Sequence, residues 1–423
     1  MAEAASTDYN VMTTADGTPL KVSLDRALRR SKTKAILLVA PLFLFILFSF
    51  LVPIFDMLFR SVENQIVANS LPLTVQAIED WDPAASDLPP EPVFQAMVED
   101  IKVGAANRTI GRVGTRLNYE LSGMSSLFRK SARGVEDIEG PPYSEQLIEI
   151  DEDWADPDVW KLIQRESGPF TISYYLAAVD YALSPDGEIV SQPEYAQIYV
   201  NLFIRTLWLS LLITGLCLLL GYPISYLLAI LPTRTSNLLM IMVLLPFWTS
   251  LLVRTTSWIA LLQQEGVIND ILVWTGLISD GGRLAMIHNQ TGTIIAMTHI
   301  LLPFMVLPLY SVMKTIPKSY MRAAMSLGAN PLLAFVRVYM PNTVAGIGAG
   351  SILVFIISIG YYITPALVGG TSGTLISNFI AYHMSSSLNW GLAAALGSIL
   401  LAVVLALYLL YDKIVGIDNM KLG

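Results

Sequence analysis

The sequence predicts an all-α integral membrane protein: six transmembrane helices, with a mainly helical extracytoplasmic insertion between the first and second. Three observations lead there. Of 423 residues, 54% are apolar and only 14% charged, with a mean hydropathy of +0.56, whereas soluble chains keep roughly a quarter of their residues charged. The apolar residues gather in six runs, each near the length that crosses a hydrocarbon layer about 30 Å thick. The net charge of −8 is unevenly placed: 10 basic and 24 acidic residues fall within 60–201, a balance of −14, which leaves 16 basic against 10 acidic, +6, for the rest. With no basic excess to neutralise phosphates, nucleic acid is excluded as a partner.

A polar segment, 1–34, precedes the first apolar run at 35–59. A cleaved signal peptide has a shorter apolar core nearer the N-terminus, so this run reads as an uncleaved anchor. The acidic insertion, 60–200, is long enough for a small domain of its own. Phe94, Met97, Val98 and Ile101 recur at helical spacing, as do Leu117, Leu121, Met124, Leu127 and Phe128. The acidic stretch 149–158 lacks the Asp/Asn-Gly spacing of a calcium loop. It reads instead as a solvated face leading into a helix at Val159, Trp160 and Ile163.

The remaining spans are expected at about 202–231, 237–262, 291–313, 343–368 and 390–411, within a five-helix core at 201–413 that ends in a short tail, 414–423. Pro223, Pro246, Pro303 and Pro308 interrupt three of them. Each proline removes a backbone hydrogen bond, which is tolerated only where a neighbouring helix or a cavity satisfies the freed carbonyl. Gly346 and Gly350, one turn apart, predict close helix packing rather than a phosphate loop. Cys217 reads as a small buried hydrophobe, and His288, His299 and His383, lacking metal spacing, as structural.

Lysine and arginine crowd one set of short loops: Lys21, Arg26, Arg29, Arg30, Lys32 and Lys34 before the first span, Arg234, then Lys314, Lys318, Arg322 and Arg337, and finally Lys413 and Lys421. The opposite short loops carry Arg283 alone, against Glu265, Asp270 and Asp280. This bias places both termini in the cytoplasm and the acidic insertion outside.

The most informative stretch is the cytoplasmic loop 314–341. It reads as a helix capped by Ser319, a break at 328–331 where Gly328 permits a left-handed turn, and a second short helix ending at Pro341. Met321, Met325 and Leu327 give it apolar side chains unsuited to a loop that meets only water. The run Arg322-Ala323-Ala324, three residues, Gly328, nine residues, Val338-Tyr339-Met340-Pro341 resembles the loop signature of the permease subunits of binding-protein-dependent ATP-binding cassette (ABC) importers. That signature is Glu-Ala-Ala, three residues, Gly, nine residues, Ile-x-Leu-Pro; Arg322 stands where it has glutamate. Segments Leu245-Pro-Phe-Trp-Thr-Ser-Leu-Leu-Val-Arg-Thr-Thr-Ser-Trp258, Gly266-Val-Ile-Asn269, Leu302-Pro-Phe-Met-Val-Leu-Pro-Leu-Tyr310 and Ile363-Thr-Pro-Ala-Leu-Val-Gly-Gly370 are similar to the spermidine/putrescine branch. The resemblance spans about 195–412 and, more weakly, the first run; it leaves out the insertion.

The resemblance implies a type I ABC importer permease fold in a bacterial inner membrane and a path for a small amine-containing solute. It also implies partners: two cytoplasmic ATPase subunits, a second permease subunit, similar or identical, and a periplasmic binding protein. Without a phosphate-binding loop of its own, the chain is expected to hold no cofactor and to be no enzyme, ATP and Mg belonging to the partner ATPases. By resemblance Tyr320, Arg322, Ala323, Ala324, Leu327, Gly328, Ala329 and Asn330 form the contact with the ATPase. Because ionisable and polar groups inside a span mark function, Arg254, with Trp248, Trp258, Tyr361 and Tyr362 as amine-facing rings, is the expected solute path. Arg254 has a second reading, as a structural group bonded to the broken backbone near Pro246. A receptor with an acidic ligand-binding domain would need a cytoplasmic effector. An ion-coupled secondary transporter would show paired intramembrane carboxylates or histidines and an internal repeat.

Overall fold

The computed structural model describes residues 20–415; the side chains of Lys21, Arg26 and Lys421 and the tail 416–423 lie outside the described residues. The chain forms two units, divided between Phe59 and Arg60. The first is one apolar helical rod: α1 (Leu20–Ile46), a π-helical turn at Leu47–Leu51, and α2 (Val52–Arg60). Helix begins well before the apolar run, and none of its most apolar window is buried.

The insertion opens the second unit with eight short helices: α3 (Ile66–Ser70), α4 (Pro72–Ile78), α5 (Glu91–Ala106), α6 (Ile110–Asn118), α7 (Met124–Gly134), α8 (Tyr143–Ile150), α9 (Pro157–Arg165) and α10 (Ser173–Ala178). A two-stranded antiparallel hairpin follows, β1 (Tyr181–Leu183) on β2 (Ile189–Ser191). The periodic run 117–128 belongs to two helices rather than one, because Gly123, at φ +102°, turns the chain between α6 and α7. The insertion has its own core around Phe94, Phe128, Trp154 and Trp160, all fully buried. Both indoles are satisfied, Trp154 donating to Ser131 Oγ at 2.8 Å and Trp160 to the Trp154 carbonyl at 2.9 Å, which removes the penalty of burying an unpaired N–H. Asp156 caps α9 by accepting from the Asp158 N–H at 2.9 Å, and Asp151 caps the preceding turn. The acidic stretch therefore starts helices; among the described residues no group of three His, Cys, Asp or Glu is arranged to hold a metal. Asp100 accepts from the Thr74 N–H at 2.7 Å and its hydroxyl at 2.8 Å at the start of α4, while burial pushes its carboxyl above the ordinary aspartate range.

The remaining helices come next: α11 (Tyr199–Ile230), α12 (Thr233–Trp248), α13 (Leu251–Leu262), α14 (Val267–Trp274), α15 (Gln290–Thr315), α16 (Lys318–Ser326), α17 (Pro331–Ala334), α18 (Val344–Gly360), α19 (Ile363–Val368), α20 (Gly370–Gly373), α21 (Ile376–Ser385) and α22 (Trp390–Val415). Five helices in the described residues are long and apolar enough to cross a membrane; a sixth crossing is reached when α12 and the α13–α14 arm, bent by 96°, count as one. The expected third span at 237–262 is therefore no single rod. Pro246 withholds a backbone bond, and the chain leaves helical geometry at Thr249–Ser250. The expected fifth span likewise stops at Gly360, and 363–368 is a separate short helix.

Helices α11, α15 and α18 form the packed centre, which includes Ile213, Cys217, Met297, Leu301, Met305, Leu309 and Val354. Side chains of α11 reach backbone carbonyls of α15: Cys217 Sγ donates to Thr298 at 3.4 Å and Ser225 to Val306 at 3.2 Å, so the two proline-bearing helices are bonded to one another as well as packed. A Cβ on Gly346 would lie 3.1 Å from Leu309 Cα and 3.3 Å from the Pro308 carbonyl, and one on Gly350 would meet Met305 Sδ at 2.7 Å. Replacing Gly346 with valine is therefore expected to wedge α18 from α15, a loss of about 1–3 kcal/mol, measurable as a lower melting temperature of the detergent-purified protein; an unchanged melt would show that this contact relaxes freely.

Candidate coupling loop and solute path

In the exposed loop after α15, α16 follows Pro317, whose fixed φ suits the chain just ahead of a helix. Ser319 lies inside the first turn and caps nothing, contrary to expectation. The helix ends in a pair of crossed bonds: Gly328 N–H to the Met325 carbonyl at 3.0 Å and Ala329 N–H to the Ala324 carbonyl at 3.1 Å. This is a Schellman ending with Gly328 in the left-handed position, at φ +93°. Ala324 and Ala329, half-buried, stand at the two positions such an ending brings together. Asn330 then caps α17, its Oδ1 accepting from the Leu333 N–H at 2.7 Å.

The second helix does not end at Pro341. From Pro331 the chain stays helical through a π-helical turn at Phe335–Tyr339 and a 3₁₀ turn at Met340–Thr343 into α18. The proline falls in the first turn of the 3₁₀ segment, where its missing N–H leaves no gap, and the π turn changes the bonding register just ahead of it. The part of the loop from Pro331 onward and the fifth span are thus one continuous helical stretch, Pro331–Gly360.

Of the expected contact residues, Tyr320, Arg322, Ala323, Leu327, Gly328 and Asn330 are exposed, Leu327 at 90%. Met325 and Leu332 add apolar exposure beside it. At the root of the loop, Phe335 stacks on Tyr339 and meets Tyr226 edge-on, with centroids 5.5 and 5.1 Å apart. The arrangement is an exposed, partly apolar helix and turn on a rigid aromatic base.

Arg254 lies on α13 just past the 96° bend. Its Nη2 donates to the Thr249 carbonyl at 3.1 Å, on the broken backbone, and its buried Nε has no hydrogen-bond partner. Trp258, one turn on, donates from Nε1 to His299 Nδ1 at 3.1 Å across to α15. Thr255 and Thr364 hydroxyls, 3.3 Å apart, tie α13 to α19. Arg254, Thr255 and Trp258 on α13 therefore form one polar cluster with His299 and Thr364, and Arg254 lies near Tyr361 as well. Trp248 and Tyr362 remain exposed, at 65% and 46%, outside the cluster. His299 is the residue that sequence reasoning missed, read as one of three scattered histidines. His383 is structural, its ring nitrogens 2.8 Å from Tyr199 Oη and 2.8 Å from Ser387 Oγ. Asp270 is engaged by Arg283 at 2.8 Å.

Proline-bearing crossings around a half-buried polar cluster, joined to an exposed helix and turn, are the parts a membrane transport component needs. Residues 221–415 match the family described as binding-protein-dependent transport system inner membrane component. The spermidine/putrescine transport system permease protein PotB of Escherichia coli (strain K12) is 37% identical over 213 residues, which are 50% of this chain and 76% of PotB. PotB of Haemophilus influenzae is 32% identical over 52% of this chain and 79% of its own length, and the inner membrane ABC transporter permease protein YdcU of Escherichia coli is 30% identical over 51% and 72%. A solved bacterial ABC transporter involved in the import of the acidic polysaccharide alginate superposes with a TM-score of 0.41 at 20% identity, covering 54% of this chain and 82% of that one. The chain belongs to the binding-protein-dependent transport system inner membrane components: it is a multi-pass inner-membrane permease of an ABC importer, a transport subunit rather than an enzyme. The insertion lies outside the matched residues.

Proposed function

We propose that this chain lines the path by which a polyamine, spermidine, putrescine or a related small amine, enters the cell, driven by ATP hydrolysis in partner subunits. The observation that carries the reading is the likeness to PotB permeases at 32–37% identity over more than three quarters of their length. Two ATPases, binding ATP and Mg, receive the loop residues Tyr320, Arg322, Ala323, Ala324, Leu327, Gly328, Ala329 and Asn330. A second permease completes the path, and a periplasmic binding protein delivers the solute. The lysine and arginine bias supports cytoplasmic termini and an external insertion, whose acidity raises the local concentration of a cationic solute or guides the binding protein.

Closure of the ATPases on ATP pulls the loop, and because the loop continues into α18 the pull is delivered to the helix that packs on α15. Binding at one site thus biases a two-state arrangement at another. Within the path Arg254 holds the bend at Thr249 and weakens binding of a cation, favouring release, while the Trp258 and Tyr361 rings supply attraction without charge. His299 fixes the indole.

The test is reconstitution of the complex with its binding protein in proteoliposomes. ATP hydrolysis is expected to rise with spermidine or putrescine and not with a sugar or an anionic solute; equal stimulation by non-amine solutes would overturn the substrate. Trp258→Ala is expected to lower amine uptake about ten-fold, the scale of a desolvated cation–π contact of roughly 1–2 kcal/mol, with Trp258→Phe intermediate. Uptake in Trp258→Ala equal to wild type would remove this ring from the path.

A further inference from the structure

A cleft of about 970 Å³ opens where the insertion meets the start of the last span. One wall is α6 with the turn before it; another is α3; the third is the loop 387–389 and the first residues of α22. The walls are held together: Tyr119 Oη donates to the Ser387 carbonyl at 3.0 Å, and Tyr174, under the Arg116 guanidinium at 4.7 Å, lies against Gly391.

The charge of this cleft opposes that of the insertion around it. Arg60, Arg108, Arg112 and Arg116 line it, against Glu63 as its sole carboxylate, although the insertion as a whole has 24 acidic residues to 10 basic. Arg116 is already committed, to Glu120 at 2.9 Å and Glu166 at 2.6 Å. Arg108 and Arg112 are not: both side chains are exposed and neither has a carboxylate partner among the described residues. Arg108 sits at φ +57°, an uncommon backbone state for a non-glycine residue, and on α6, next to Arg112, a Cβ at Gly111 would meet nothing within 4 Å. Apolar side chains line the cleft as well: Trp390, the first residue of the last span, with Leu388 and Ile66, 63% and 40% exposed. Tryptophan at the end of a span marks the membrane–water boundary, and an arginine pair recognises phosphate through paired N–H donors.

We propose that this cleft holds the phosphate of an anionic phospholipid headgroup, with Arg108 and Arg112 on the phosphate and Trp390, Leu388 and Ile66 beside the start of the acyl chains. A soluble phosphate has the same chemistry at the arginines but gains nothing from Trp390, Leu388 and Ile66, and a protein partner has no need of a cleft beside the first residues of a span. Such a lipid would fasten the insertion to the bilayer at the foot of the last span.

The test uses the full chain, purified in detergent with its partner subunits and exposed to equal amounts of phosphatidylglycerol and phosphatidylcholine, with retained lipid read by native mass spectrometry. Wild type is expected to keep phosphatidylglycerol several-fold over phosphatidylcholine. Arg108→Gln/Arg112→Gln should bring that ratio near one, whereas Arg129→Gln/Arg133→Gln, which removes two exposed charges from α7 outside the cleft, should leave it unchanged. Equal loss in both double variants, or none in the first, would overturn the site. Thermal stabilisation of wild type by millimolar inorganic phosphate, absent in Arg108→Gln/Arg112→Gln and accompanied by no lipid preference, would assign the cleft to a soluble anion instead. A lipid ratio unchanged in the first variant together with weakened binding-protein affinity would assign it to protein docking.

Discussion

Gly328→Val is expected to abolish solute-stimulated ATP hydrolysis, to below about a tenth of wild type, while the protein still inserts and co-purifies with its spans intact. The turn needs a left-handed residue at φ +93°, and a Cβ there would touch nothing within 4 Å. Any effect of substitution is therefore conformational rather than steric crowding by neighbours. An ordinary L-residue in that region costs about 1–2 kcal/mol and a β-branched one more. At 1.4 kcal/mol per factor of ten, the chain escapes by abandoning the Schellman bonds to Met325 and Ala324. Once those bonds go, Leu327 and the exposed end of α16 no longer project from a fixed base, and a pull on the loop unwinds the turn instead of moving α18. The order of activity follows backbone tolerance: Asn, which visits the left-handed region most readily, retains most, Ala less, and Val least. Rates of ATP hydrolysis in proteoliposomes with loaded binding protein measure the series. Equal activity across the three would mean that the turn does not transmit force. Leu327→Asp probes the other half of the contact, since it leaves the turn intact and places a charge on the most exposed apolar side chain of the loop.

The parts of this site legible in the sequence are those governed by local rules. Gly328 was readable because a helix exit needs a left-handed residue, whereas the meeting of Ala324 and Ala329 across that exit came only with the Schellman bonds. The proline breaks were readable as breaks, but their sizes were not. Pro246 stands just before a 96° bend, whereas helix continues past Pro341, which falls at the start of a 3₁₀ turn that a π turn feeds. What escaped was contact between distant segments. His299 looked like a stray histidine until the bend delivered Trp258 to it, and Trp248, equally prominent in the sequence, was carried to the exposed side of the same bend. In the insertion, helical periodicity found the apolar faces of α5 to α7 but not that Asp180, at the far end of the domain, caps the second span by accepting from the Tyr199 and Val200 N–H groups at 2.9 Å each. No local pattern announces a carboxylate that serves a helix eighteen or more residues on.

One of the tightest contacts between the insertion and the permease core falls on a glycine. Gly391→Ala is expected to lower the melting temperature of the protein by several degrees and to expose the hairpin loop between β1 and β2 to protease. A Cβ on Gly391 would overlap the Tyr174 ring, with Cδ2 at 2.7 Å. That ring has little room to yield: it is 6% exposed, and the Arg116 guanidinium lies over it at 4.7 Å. Arg116 in turn is buried and bonded to Glu166, Glu120 and Asn64, so displacing the ring disturbs a buried network of charges. Uncoupling one member of such a network costs about 3–5 kcal/mol, whereas an alanine accommodated by small shifts costs under about 1 kcal/mol. The two cases separate in a double-mutant cycle. If the overlap is the cause, Tyr174→Ser, which removes the ring, makes Gly391→Ala nearly neutral, and the two changes are far from additive. Additive losses would mean that Gly391 acts on α22 itself and not on the insertion. A several-degree loss relieved by Tyr174→Ser would establish that the insertion is clamped to the last span, so that any rearrangement of that helix carries the acidic domain with it.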